Sequence, residues 1–80
     1  MSNLPAFSAS VLTYIKGYFA QHPYWVDEGF SDLTIADVAT AIGADAQAVS
    51  GAVRHLAKEG LIDVEKWDTG HDVTYFLHIA

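Results

Sequence analysis

Gln47, Ser50, Arg54 and Lys58 stand three, four and four residues apart within the stretch GADAQAVSGAVRHLAKEGL. That spacing places side chains along one side of an α-helix. Their chemistry is that of gripping a polar ligand. A guanidinium such as that of Arg54 donates two parallel hydrogen bonds to guanine or to a phosphate. Gln47 can pair with adenine in the same manner, and Ser50 can donate to phosphate. Taking Val49 as the centre of the buried face, Ala52, Val53 and Leu56 fall within about a quarter turn at ~100° per residue. Gln47, Gly51, Arg54 and Lys58 then lie opposite. The same pattern equally describes an amphipathic helix whose charged side is merely solvated, and Asp45 and Glu59 fit that description too.

Other chemistry finds less support. His55 falls on this helix, while His71 and His78, seven apart, read as one strand with the two side chains on opposite faces. No histidine pair has the one-turn spacing that builds a zinc site, and the chain has no cysteine, so no metal is expected. His78 reads as a surface residue on a strand whose other face is core. There is no glycine-rich phosphate loop, nucleophile elbow or paired-carboxylate motif, so a non-enzyme without a cofactor is expected. The aromatics leave two readings. Trp25 and Phe30 can roof a small core, or Tyr14, Tyr18, Trp25 and Trp67 can anchor a protein interface, a homodimer included.

Several elements must position these residues. A first helix is predicted from Ser8 to Gln21, with Val11, Leu12, Ile15, Tyr18 and Phe19 at helical spacing and Ser8 or Ser10 at its start. Pro23 stops it near His22, and PYWVDEGF reads as a loop leading to an extended piece around Phe30 to Leu33. Thr34 and Asp37 make a capping box for a second helix, which Gly43 ends in the left-handed conformation. Asp45 caps a third helix running to Glu59, with Gly60 behind it. The period then alternates through LIDVEKW and HDVTYFLHIA, with Val73, Tyr75, Leu77 and Ile79 on one face. Asp68 and Thr69 suit the centre of the intervening turn, with Gly70 as a bulge.

The bulk numbers set the frame. Eighty residues make one small domain, and a chain of this size buries only about 60% of its unfolded surface. Without cysteines the core must stand on packing or on a second subunit. No apolar stretch is long enough to span a bilayer, and MSNLPAFSAS lacks the basic start of a signal peptide, so a soluble, cytoplasmic protein is expected. The net charge is −6, with ten acids against four lysines and arginines. Three of those four cations, Arg54, Lys58 and Lys66, fall close together in the chain.

The stretch LTIADVATAIGADAQAVSGAVRHLAKEGLIDVEKW, in this order of elements, resembles the winged helix-turn-helix superfamily. It is most similar to bacterial regulators of the MarR and ArsR type. LTIADVATAIGAD matches the helix leading into the turn, VSGAVRHLAKEGLI the recognition helix and first wing strand, and DTG the wing tip. The resemblance covers about Leu33 to Ile79, and the first helix fits the same layout. It implies an α+β winged helix-turn-helix of three helices, a short strand and a C-terminal β-hairpin wing. The domain would span 1–80, with 1–7 a flexible N-terminal segment. It further implies a small transcription regulator that reads double-stranded DNA with the helix from Ala46 to Glu59. Gln47, Ser50, Arg54 and Lys58 would touch DNA and Lys66 its backbone, in a homodimer whose two half-sites double the contacts.

Two departures from that pattern motivate a second reading. Ala48 and Gly51 occupy likely contact positions, and the predicted tip carries Asp68 and Asp72 where family wings often carry arginine or lysine. Like charge near phosphates lowers affinity. Alternatively, then, the chain is an acidic protein-interaction module, or a DNA mimic such as a phage-encoded inhibitor, that occupies a nucleic-acid-binding protein. Asp27, Glu28, Asp32, Asp63, Glu65, Asp68 and Asp72 would form its negative surface, with Trp25 and Trp67 as anchors. A clustered acidic face favours this reading. A basic third helix among scattered acids favours DNA.

Overall fold

The Pro5 carbonyl accepts from the Ala9 N–H at 3.0 Å, which starts helix α1 (Ala6–Gln21) ahead of the expected Ser8. The computed structural model describes residues 5–28 and 31–79, with the backbone alone at Asp27 and Glu28. Part of the segment expected to be flexible, Ala6 and Phe7, is therefore helical. Neither serine caps the helix. Ser8 is buried inside it. Ser10 and Thr13 instead donate back to the carbonyls of Ala6 and Ala9, at 3.1 and 2.9 Å, the local bond that hydroxyl side chains offer within a helix. Val11, Leu12, Ile15 and Phe19 form the buried stripe.

The stretch expected to be a loop holds a second helix, α2 (Pro23–Glu28), so four helices rather than three occur among the described residues. Proline ends a helix before itself, yet it suits the first position of the next, where its missing N–H would have had no partner. Pro23 does both. The Trp25 N–H returns to the His22 carbonyl at 3.1 Å to close the first turn. The start of the expected extended piece, Phe30, lies outside the described residues. Its end runs alongside the C-terminal strand: Leu77 donates to the Leu33 carbonyl at 2.8 Å, and Thr34 bridges Phe76. The Ser31 hydroxyl donates to the Leu77 carbonyl and accepts from the Leu33 N–H.

Helix α3 (Ile35–Ile42) opens with the expected capping box. Thr34 Oγ1 accepts from the Asp37 N–H and Asp37 Oδ2 from the Thr34 N–H, both at 3.1 Å. Gly43 ends it at φ +66°, a left-handed geometry that glycine adopts without steric penalty. Helix α4 (Ala46–Lys58) follows, buried along Val49, Ala52, Val53 and Leu56 as its periodicity predicts. Asp45 holds the N-cap position with extended backbone, but its side chain makes no capping bond.

Strands β1 (Ile62–Asp68) and β2 (Val73–Ile79) pair antiparallel, from Ile62 opposite Ile79 to Asp68 opposite Val73. Asp68 therefore ends a strand rather than sitting mid-turn. The turn is 69–72, where Asp68 Oδ1 accepts from the Gly70 N–H at 2.9 Å and Thr69 Oγ1 from the Asp72 N–H at 3.2 Å. His71 lies in this turn and shares no strand with His78. One core joins Ile15 of α1, Leu33, Val38 of α3, Leu56 of α4, and Ile62 and Leu77 of the hairpin. The fold is α+β.

Candidate functional site

Alternation along the hairpin decides which residues share a face. Ile62, Val64, Lys66 and Asp68 lie on one side with Val73, Tyr75, Leu77 and Ile79 across from them. Asp63, Glu65 and Trp67 lie on the other with Thr74, Phe76 and His78. Only the base of the first face enters the core, through Ile62 and Leu77. Val64, Tyr75 and Val73 stay 37, 40 and 46% exposed. The expectation of a continuous core face is thus corrected towards the hairpin tip. A seven-residue strand runs about 23 Å at roughly 3.3 Å per residue, and its outer half lies beyond the buried core.

Between that face and α4 runs a groove. One part, about 320 Å³, is lined by Ile35, Ser50, Arg54, Val64 and Tyr75 among others. A second, about 330 Å³, continues over Ala46, Ser50, Val73 and Tyr75. Of the residues expected to touch a ligand, the structure brings Ser50 and Arg54 together here. Lys66 sits on the same hairpin face, opposite Tyr75. Gln47 and Lys58 are exposed on α4 but line neither part. Tyr75, Val64 and Val73 were missing from the expected site because their alternation reads as core.

The opposite hairpin face carries a different chemistry. Trp25, Ser31, Asp32, Glu65, Trp67 and Phe76 line a cleft of about 400 Å³. Ser31, Glu65 and Phe76 continue from it into a neighbouring cleft of about 270 Å³ that reaches Asp63 and His78. Trp67 meets Phe76 edge-on, with centroids 6.3 Å apart. Two of the expected interface aromatics, Trp25 and Trp67, therefore meet in one place. Trp25 also packs against the core, as the roofing reading expects. Tyr18 adjoins the cleft by donating its hydroxyl to Asp32. Tyr14 packs against the core and lines neither cleft.

Burial pushes the Tyr18 phenol well above the ordinary tyrosine range, reinforced by the bond to Asp32 and that carboxylate's charge. His78 is half-buried rather than a surface residue. Its Nε2 lies 3.0 Å from the Trp25 carbonyl oxygen and its ring packs on Phe19 at 5.1 Å, tying β2 to α2 and α1. Asp32 and Glu65 thus line one cleft and Asp63 and Glu65 its neighbour, whereas Asp68 ends β1, Asp72 lies in the turn, and Asp37 and Asp45 belong to helix starts. The side chains of Asp27 and Glu28 lie outside the described residues. Among the described residues no three His, Cys, Asp or Glu side chains gather as metal ligands, and no helix is long and apolar enough to cross a membrane. No family model matches the chain, and neither curated proteins nor solved structures yield a match.

Proposed function

We propose that this chain is a small DNA-binding protein of the winged helix-turn-helix kind, a transcription regulator that acts as a homodimer. Helix α4 enters the major groove and the hairpin serves as the wing. The observation that carries this reading is the placement of charge. Arg54 and Lys58 lie one helical turn apart on the exposed face of α4, and Lys66 lies on the hairpin face that meets that helix. Asp63 and Glu65 point to the other side of the hairpin. Despite the net charge of −6, Arg54 thus lines the groove, and Lys58 and Lys66 lie on the two elements that form it.

In this reading Arg54 forks onto guanine or a phosphate, Gln47 pairs with adenine, and Ser50 and Lys58 grip the backbone. Tyr75 adds a hydroxyl for phosphate, and the apolar walls Ile35 and Val64 suit thymine methyl groups. Asp68 near the tip accepts from the Gly70 N–H, a local bond that ties one of its oxygens to the turn. Lys66 supplies the wing's contact with the backbone.

Fluorescence anisotropy with random-sequence duplex at low and moderate salt tests the proposal. Three phosphate contacts per chain, six per homodimer, predict an affinity that falls with salt at a log–log slope of about −5. Arg54→Ala with Lys58→Ala should flatten that slope to about −2 and abolish binding at moderate salt. Absence of binding at low salt, or binding indifferent to both substitutions, overturns the proposal.

A further inference from the structure

We infer that the outer face of the hairpin, away from α4, is a docking site for an arginine-bearing basic segment of a partner protein, seated between Trp25 and Trp67. The two adjoining clefts on this face are walled by aromatic rings and rimmed by Asp32, Asp63 and Glu65, and no lysine or arginine lines either one. Trp67 is 56% exposed and meets Phe76 in an edge-to-face pair. Large exposed aromatics set within a polar rim are the usual anchors of protein contacts.

Charge selects the occupant. A nucleic-acid phosphate would be repelled by the three carboxylates, and a neutral apolar segment would strip them of water without replacing it. A guanidinium answers both features: it stacks flat on an indole and donates paired hydrogen bonds to a carboxylate. Lysine offers only a compact, strongly hydrated charge. The rim is also held in place. One oxygen of Asp32 accepts from the Tyr18 hydroxyl, which leaves the other for an incoming donor. Such preorganisation lowers the ordering cost of association. Val64 alone lines both this face and the groove on α4; the anchors Trp25 and Trp67 and the three carboxylates line only the outer clefts, so the site is testable separately from DNA binding.

A short fluorescein-labelled peptide of alternating arginine and glycine, titrated with the full chain, provides the test. Saturable binding is expected, weakened about tenfold or more by Trp67→Ala, as for a central anchor, and severalfold by Glu65→Gln. It should be unchanged by Arg54→Ala with Lys58→Ala, and a lysine–glycine peptide should bind several times more weakly. Circular dichroism checks that Trp67→Ala is folded, and the exposed Glu65→Gln gives a second reading. No binding overturns the inference. So does binding indifferent to Trp67→Ala, which would reduce the attraction to net charge alone. Self-association of the chain that disappears in Arg54→Ala would also overturn it, by making a second copy the occupant.

Discussion

At Tyr18, burial, a hydrogen bond and a neighbouring charge all act in one direction. Each favours the neutral phenol, so ionisation is displaced upward in the folded chain. A group whose folded pKa exceeds its unfolded value contributes stability that is complete below the unfolded pKa, about 10 for tyrosine. That contribution is lost as pH rises from there through the folded pKa. Tyr18→Phe, which removes one hydrogen bond to a charged acceptor, should lower stability at neutral pH by about 1–2 kcal/mol. Melting temperatures at about pH 8 and about pH 11 check the sign: the wild type should lose more across that interval than the variant does. An equal loss in both would remove Tyr18 as the source. Nothing in the sequence joins Tyr18 to Asp32, since their meeting depends on the path taken by α2 between them. Arg54 and Ser50, by contrast, are legible as neighbours because one helical turn separates them.

At the scale of elements, α3, its glycine stop and α4 are readable because their signals are local. A capping box, a left-handed glycine and an apolar stripe all lie within a few residues of what they control. Helix α2 is hidden by the double meaning of Pro23, which breaks one helix and begins another. The hairpin is readable as an element, but the exposure of its upper half is not, because burial depends on what stands opposite. Gly51 offers a test within α4. It is exposed, and an added Cβ meets nothing within 4 Å. Gly51→Ala should therefore raise stability by about 0.5–1 kcal/mol, seen as a melting temperature higher by about 2–8 °C. Measured on DNA, the same variant locates the closest approach of α4. A more stable protein with weaker binding would place the duplex against this bare stretch of backbone, and unaltered binding would place it elsewhere on the helix.

For the whole molecule, one modest core joins α1, α3, α4, β1 and β2, with Trp25 of α2 packed against it. Leu56 is fully buried at its centre, and Leu56→Ala should cost about 2–5 kcal/mol by lost transfer energy and cavity formation. Small domains have little to spare, at about 5–15 kcal/mol in all, so urea unfolding should show a sharply lower midpoint with a similar slope. A variant within about 1 kcal/mol of wild type would mean the core repacks around the gap. Composition shows an acidic molecule; only the folded chain sorts the cations of its C-terminal half from the carboxylates of its outer cleft. That sorting rests on the parity of β1. Val64 and Lys66 serve one surface, and Asp63, Glu65 and Trp67 serve the other. Point substitutions can therefore tune either surface while leaving the other intact. Insertion or deletion of a single residue in β1 would exchange odd for even positions beyond it, turning carboxylates towards α4 and Lys66 away, so both surfaces would be lost in the same event.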